Sequence, residues 1–155
     1  MDERLRQLLE RDEVVATVTK LFVCTDSRDW DGARSCFAER VFIDMSSLTG
    51  AEPFTVSARE ITEGWEQAFR SLRAVHHQVG NFRVSLGERE ANVACYGISY
   101  HHRPARSGHS TRTFVGTYDL HLSREDPGWK IDRFRFDCKF VEGRLDEVED
   151  EDGIH

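Results

Sequence analysis

After Arg73 the apolar residues stop recurring at helical spacing and begin to alternate, and they alternate almost to the end of the chain. Four long runs follow, at about 75–86, 91–103, 112–124 and 129–141, each with the period of two expected of a half-buried strand. Turn chemistry separates them. Gly87-Glu88-Arg89-Glu90 follows the first run, a glycine-containing loop from Pro104 to Ser110 follows the second, and Asp126-Pro127-Gly128 precedes the last. In the first run Val75, His77 and Val79 share one parity, and Phe82, Val84 and Leu86 share the other. This change of phase predicts a bulge near Gly80, which would bend the strand and curl the sheet around an interior.

The segments ahead of these runs are helical. Leu8, Val15, Val18 and Phe22, with Leu9 and Leu21 beside them, give a helix over about 3–27. Asp29 is placed to cap a second, short helix whose buried stripe is Trp30, Ala33 and Phe37, and Val41 to Ile43 read as a short strand. Ser57 and Glu60 form the signature of a capping box. Behind it Ile61, Trp65, Ala68, Phe69 and Leu72 mark one apolar face of a third helix. Helices first and a curved sheet after them make an α+β chain: three N-terminal helices packed on one face of a strongly curved, mainly antiparallel sheet, in the outline of a cone.

At 155 residues this is one domain, assigned to 1–141. Residues 142–155 form an acidic tail with seven acids against Arg144 and are expected to be mobile. Of the formal charge of −7, the tail carries all but one unit. A nearly neutral body excludes nucleic acid and membrane surfaces as favoured partners. No apolar run approaches the roughly 20 residues of a membrane span, and no apolar signal region follows Met1-Asp2-Glu3-Arg4, so a cytoplasmic location is expected. Cys24, Cys36, Cys95 and Cys138 stand far apart among apolar neighbours and read as buried thiols.

Asp26 follows Phe22 by four residues and Val18 by eight, so a continuing helix would aim its carboxylate along the buried stripe, where it needs a partner. Alternatively the helix ends by Thr25 and Asp26 caps the next one; spacing leaves both open. Of the paired histidines His76-His77 and His101-His102, only one of each pair can face the interior. His77 shares its face with Val75 and Val79 and is the inward one. A neutral imidazole beside a carboxylate in a closed pocket is a general base near neutral pH, whereas a lone inward histidine is a satisfied core residue. No histidine spacing supports a metal site, and no glycine-rich phosphate loop, nucleophile elbow or Cys/His pair stands out, so neither a cofactor nor covalent catalysis has positive support. Tyr96, Tyr100, Tyr118 and Trp65 would supply pocket walls with polar handles, or plain core.

Two stretches carry a family resemblance: Cys24-Thr25-Asp26-Ser27-Arg28-Asp29-Trp30-Asp31 with Cys36 to Asp44 behind it, and Val75-His76-His77-Gln78-Val79-Gly80-Asn81-Phe82. Gly116-Thr117-Tyr118 and Gly128-Trp129-Lys130-Ile131 add to them. The chain resembles the SnoaL-like, scytalone dehydratase-like branch of the nuclear transport factor 2-like superfamily, from about Leu9 to Val141. The resemblance implies Asp26 and His77 as a proton-transferring pair. It also implies a second pocket histidine at the end of the next strand, where His102 is preferred to His101 because its parity matches Tyr96, Ile98 and Tyr100. Thr25 and Met45 stand where the dehydratases carry tyrosines, and Tyr118 where they carry an asparagine, which argues against scytalone itself as substrate. His102, Tyr118, Tyr96, Trp65 and Met45 are thus the expected substrate-binding set.

The function expected is cofactor-independent acid/base catalysis of the dehydratase, isomerase or cyclase type on a hydrophobic polyketide-, steroid- or aromatic-like molecule. The alternative is a non-catalytic ligand-binding or subunit-pairing module of the same fold. In either case the open sheet face would expose a large apolar patch, which predicts a homodimer or higher homo-oligomer.

Overall fold

The computed structural model describes residues 1–104 and 110–145. The alternating stretch forms four long strands: β3 (Ala74–Leu86), β4 (Glu90–His102), β5 (Thr111–Glu125) and β6 (Gly128–Gly143). They pair antiparallel in sequence order. Ahead of them lie α1 (Glu3–Asp26), α2 (Trp30–Arg34), β1 (Phe37–Asp44), α3 (Ser46–Thr49), β2 (Phe54–Ser57) and α4 (Ala58–Phe69). The six-stranded sheet has the order β2-β1-β6-β5-β4-β3, and its one parallel pair is β1 with β6. The α+β expectation holds, and the sheet is mixed and mostly antiparallel. Two four-residue elements, α3 and β2, were not expected from sequence because neither is long enough to display a period.

The predicted bulge is present. Gly80 pairs with Tyr96 and Arg83 with Ala94, so three steps on β3 oppose two on β4. Asn81 takes a positive φ of 53° within the bulge, a conformation its short polar side chain tolerates. The extra residue lets Val75, His77 and Val79 on one side of it, and Phe82, Val84 and Leu86 on the other, all turn toward the helices.

Helix α1 packs across this curved face. Val14, Val18, Leu21 and Phe22 are buried, while Leu5, Leu8 and Leu9 remain exposed. The buried stripe therefore begins at Val14 rather than at Leu8, because the first turns of α1 have no cover. There Arg6 binds Glu3 and Glu10 at 2.5 and 2.8 Å across the exposed helix surface. Each fully buried side chain of this size stabilises the fold by about 1.5–3 kcal/mol, so four of them dock the C-terminal half of α1 firmly. Asp29 caps α2 by accepting from the Gly32 amide at 2.9 Å. Both hydrogen bonds of the capping box, at 2.8 and 3.1 Å, start α4.

Strand β6 continues through Glu142 and Gly143, which pair with Thr113 and Arg112. It thus runs two residues into the stretch assigned to the tail. Residues 146–155 of that tail, and His109 of the β4–β5 loop, lie outside the described residues. Cys24, Cys36 and Cys95 are buried free thiols and Cys138 is half-buried. Burial pushes the Cys95 thiol up to about 12, so it stays protonated.

Candidate active site

Asp26 is the last residue of α1, and the chain after it reverses in a tight C-terminal cap. The Asp29 amide donates to Cys24 O at 2.8 Å and the Arg28 amide to Thr25 O at 3.1 Å, the pattern of a Schellman motif. Arg28 occupies its left-handed position, with a φ of 60°, where glycine is usual. Its guanidinium donates to Phe69 O at 2.9 Å and Leu72 O at 2.6 Å. These bonds tie the end of α1 to the segment that leads from α4 into β3, so the two pieces of chain that carry Asp26 and His77 are clamped together.

Both readings of Asp26 left open by spacing are thereby resolved: the helix reaches it, and its carboxylate turns inward. One oxygen accepts from the backbone N–H of His77 at 2.8 Å, and the other lies 2.6 Å from His77 Nδ1. Because an ionised carboxylate can only accept, Nδ1 carries the proton and the Nε2 lone pair is turned away from Asp26. Nε2 lies 3.3 Å from Ser99 Oγ. The side chains are only 18% (Asp26) and 10% (His77) exposed, so water screens the pair weakly. Phe22, one turn before Asp26, packs its ring 5.1 Å from that of His77.

His77 and Ser99 open on a cavity of about 220 Å³ between the helices and the sheet. Phe22 and Thr25 form its α1 wall. His77, Ser99 and His101 form a polar band on β3 and β4, facing Phe114, Tyr118, Phe134 and Phe136 of β5 and β6. Met45, Leu48, Trp65 and Phe69 complete the lining. None of these side chains is lysine, arginine, aspartate or glutamate. Among the described residues no group of three or more His, Cys, Asp or Glu is placed to hold a metal ion.

Burial, followed by the nearby His77 and Arg112, pushes His101 down to about 4, so its ring is neutral at pH 7. Burial also raises the Tyr118 phenol, with Cys95 and Asp26 acting in the same direction, so it stays a hydrogen-bond donor.

Of the expected substrate-binding set, Tyr118, Trp65 and Met45 line the cavity, and Tyr96 and His102 do not. Tyr96 is 51% exposed on the outer face of the sheet, and His102 Nδ1 lies 2.9 Å from Thr111 Oγ1. The preference for His102 is corrected to His101. Parity was read correctly, but the wrong set was taken as inward: the inner face of β4 carries the small residues Gly97 and Ser99, because the ring of Tyr118 fills the space. A methyl group at Gly97 would collide with that ring. Small residues in alternation on β4 were the available signal for Ser99 and His101. Nothing in the sequence pointed to Leu48 on the short α3.

Residues 6–135 match the family model described as a SnoaL-like domain. No curated protein matches the sequence. Solved structures do match in fold. The Kfla4162 protein from Kribbella flavida has a TM-score of 0.84 at 22% identity, over 88% of this chain and 95% of that one. A candidate scytalone dehydratase from Novosphingobium aromaticivorans has a TM-score of 0.76 at 16% identity, over 96% and 97%. The hexachlorocyclohexane dehydrochlorinase LinA-type3 from Novosphingobium barchaimii has a TM-score of 0.74 at 13% identity, over 99% and 97%. At such identities the likeness is one of fold.

Proposed function

As the chain belongs to the SnoaL-like domain family, within the nuclear transport factor 2-like superfamily, we propose that it is a cofactor-independent acid/base enzyme of the dehydratase, isomerase or cyclase type. Its substrate is a compact hydrophobic molecule of polyketide, steroid or aromatic character. The observation that carries this reading is the Asp26 carboxylate holding both the backbone amide and Nδ1 of His77, at 2.8 and 2.6 Å, beside an apolar cavity.

His77 Nε2 takes a proton from an acidified C–H of the substrate and returns it to a leaving hydroxyl or to another carbon. Asp26 keeps the ring in the tautomer that frees Nε2 and stabilises the imidazolium formed in between. Neutral His101 and the protonated Tyr118 phenol line the same cavity and are the available donors to a substrate oxygen on which charge develops. Positioned proton transfer contributes typically 10²–10⁴-fold. The apolar walls supply orientation and exclusion of water. A cavity of about 220 Å³ lies below the roughly 300–1,000 Å³ of drug-sized sites, which favours a one- or two-ring aromatic or polyketide substrate over a four-ring steroid. Among the described residues the lining holds no lysine, arginine, aspartate or glutamate, which favours an uncharged substrate.

Mass spectrometry of ligand released from the purified protein identifies the substrate class. With that compound, Asp26→Asn and His77→Gln each lower turnover at least about tenfold while the melting temperature is retained. Near-normal turnover in either variant refutes the assignment.

The same reading includes a single catalytic domain that pairs with a second copy. Tyr96, Tyr100 and Phe140 stay 38–52% exposed on the described surface, an apolar area that a second copy would cover.

A further inference from the structure

Proton transfer gives the Ser99 hydroxyl of the pocket no task, and unlike the Thr25 hydroxyl, which donates to Leu21 O, it is turned to the His77 ring. Ser99 is 5% exposed and stands directly opposite His77 in the β3–β4 ladder, so the sheet itself, rather than a loop, sets the distance between them. Its Oγ lies 3.3 Å from His77 Nε2. With the proton of the ring on Nδ1 and given to Asp26, Nε2 is an acceptor and the Ser99 hydroxyl is the donor. A hydroxyl bonded to an imidazole whose other nitrogen is held by a carboxylate is the arrangement that activates serine for attack on a carbonyl, and the contact is typically long before substrate binds.

We propose that Ser99, His77 and Asp26 form a nucleophilic triad giving this protein an acyl-transfer activity toward small, uncharged aryl esters. As the Ser99 Oγ–carbon bond forms, the hydroxyl proton passes to Nε2 and the carbonyl π pair moves onto oxygen. Collapse of this adduct breaks the bond to the aryloxy group, which takes the proton from Nε2 and leaves as the phenol. Water then attacks the acyl carbon and gives a proton to Nε2. The Ser99 oxygen departs with that proton, and the acid is released. Tyr118 and His101, both neutral, line the same cavity and supply donors for the intermediate oxyanion.

The cavity also selects the ester. Among the described residues it is lined by no cationic side chain for an anionic acyl donor, and the rings of Phe22, Phe134 and Phe136 are among its walls, where an aryl leaving group can pack. The carboxylate product meets no cation among the described lining residues, which favours its release.

The test treats the full-length protein with diethyl 4-nitrophenyl phosphate, a neutral aryl ester that phosphorylates activated serines. Intact-mass and peptide analysis should find one diethylphosphoryl group per chain, on Ser99, with one equivalent of 4-nitrophenolate released. Labelling should be lost in Ser99→Ala and slowed at least about tenfold in Asp26→Asn and in His77→Gln, each checked for a native circular dichroism spectrum.

The inference shares the Asp26–His77 pair with the proton-transfer reading but not its reaction, and the outcomes separate the two. A wild-type chain that remains unlabelled, while proton NMR still finds a strongly downfield Nδ1 proton on His77, overturns the nucleophile and leaves proton transfer standing. A label on Ser99 that forms equally fast in both pair variants overturns the triad. A label on any other residue does the same.

Discussion

Lowering the pH from 7 to 4.5 should destabilise this protein through one side chain in particular, His101. Its ring packs against Phe69 and Phe114, with centroids at 5.2 and 4.7 Å, and burial followed by the nearby His77 and Arg112 brings its pKa down to about 4. In the unfolded chain a histidine titrates near 6.5. The unfolded state therefore binds the proton more tightly, and the stability contributed by the neutral ring is complete above pH 6.5 and is lost as the pH falls toward 4. A difference of about 2.5 between the two pKa values, at about 1.4 kcal/mol per unit, bounds the effect at roughly 3 kcal/mol. Partial exposure of the ring, and a test pH above the folded value, reduce this to roughly 2 kcal/mol. Urea unfolding of wild type and His101→Phe at both pH values isolates the contribution, since phenylalanine keeps the ring contacts and cannot be protonated. Carboxylates act equally in both proteins. So does His121, whose pKa is raised because Asp132 and Glu90 outweigh the opposing effect of burial. The wild type should lose roughly 2 kcal/mol more than the variant between pH 7 and 4.5. Equal losses would refute the account of a buried neutral ring.

Two further outcomes follow from packing. Gly97→Ala drives a methyl group into the Tyr118 ring and should cost about 1–3 kcal/mol in denaturant unfolding; unchanged stability would mean that the ring is not held where it fills the β4 face. Light scattering on a size-exclusion column should give at least twice the chain mass for wild type and a single chain mass for Tyr96→Glu combined with Phe140→Glu, whereas a monomeric wild type rules out pairing through this face.

The long elements were legible in the sequence because each repeats its period many times over. Strands β3 to β6, the capping box at Ser57 and the bulge after Gly80 all follow from local pattern. What local pattern lacks is information about which face of a strand turns inward. On β4 the richer apolar set, Tyr96, Ile98 and Tyr100, suggests the core, yet the interior takes Gly97 and Ser99 because an aromatic ring from β5 occupies the volume. The Asp26–His77 pair was within reach because one member sits on a stripe and the other on an apolar parity. Ser99 meets His77 only through strand register, a relation between segments 22 residues apart. Spacing within one segment cannot reveal it. The parallel contact of β1 with β6 escaped for the same reason.

The bulge in β3 also makes the site sensitive to chain length at a position that takes no part in it. His77 and the inward set beyond Gly80 differ by an odd number of residues, and the supernumerary residue around Asn81 absorbs the difference. Deleting that one residue would leave two steps on each strand between the Gly80–Tyr96 and Arg83–Ala94 pairs, so His77 and the set beyond Gly80 would share a face by ordinary alternation and His77 would stay opposite Ser99. The bend that the bulge imposes would go with it, and the strand would straighten where the cavity needs it curled. For chains of this fold, the length of the bent strand is therefore a setting of pocket curvature: one residue lost there reshapes the space around the site while every residue of the site keeps its face and its partner.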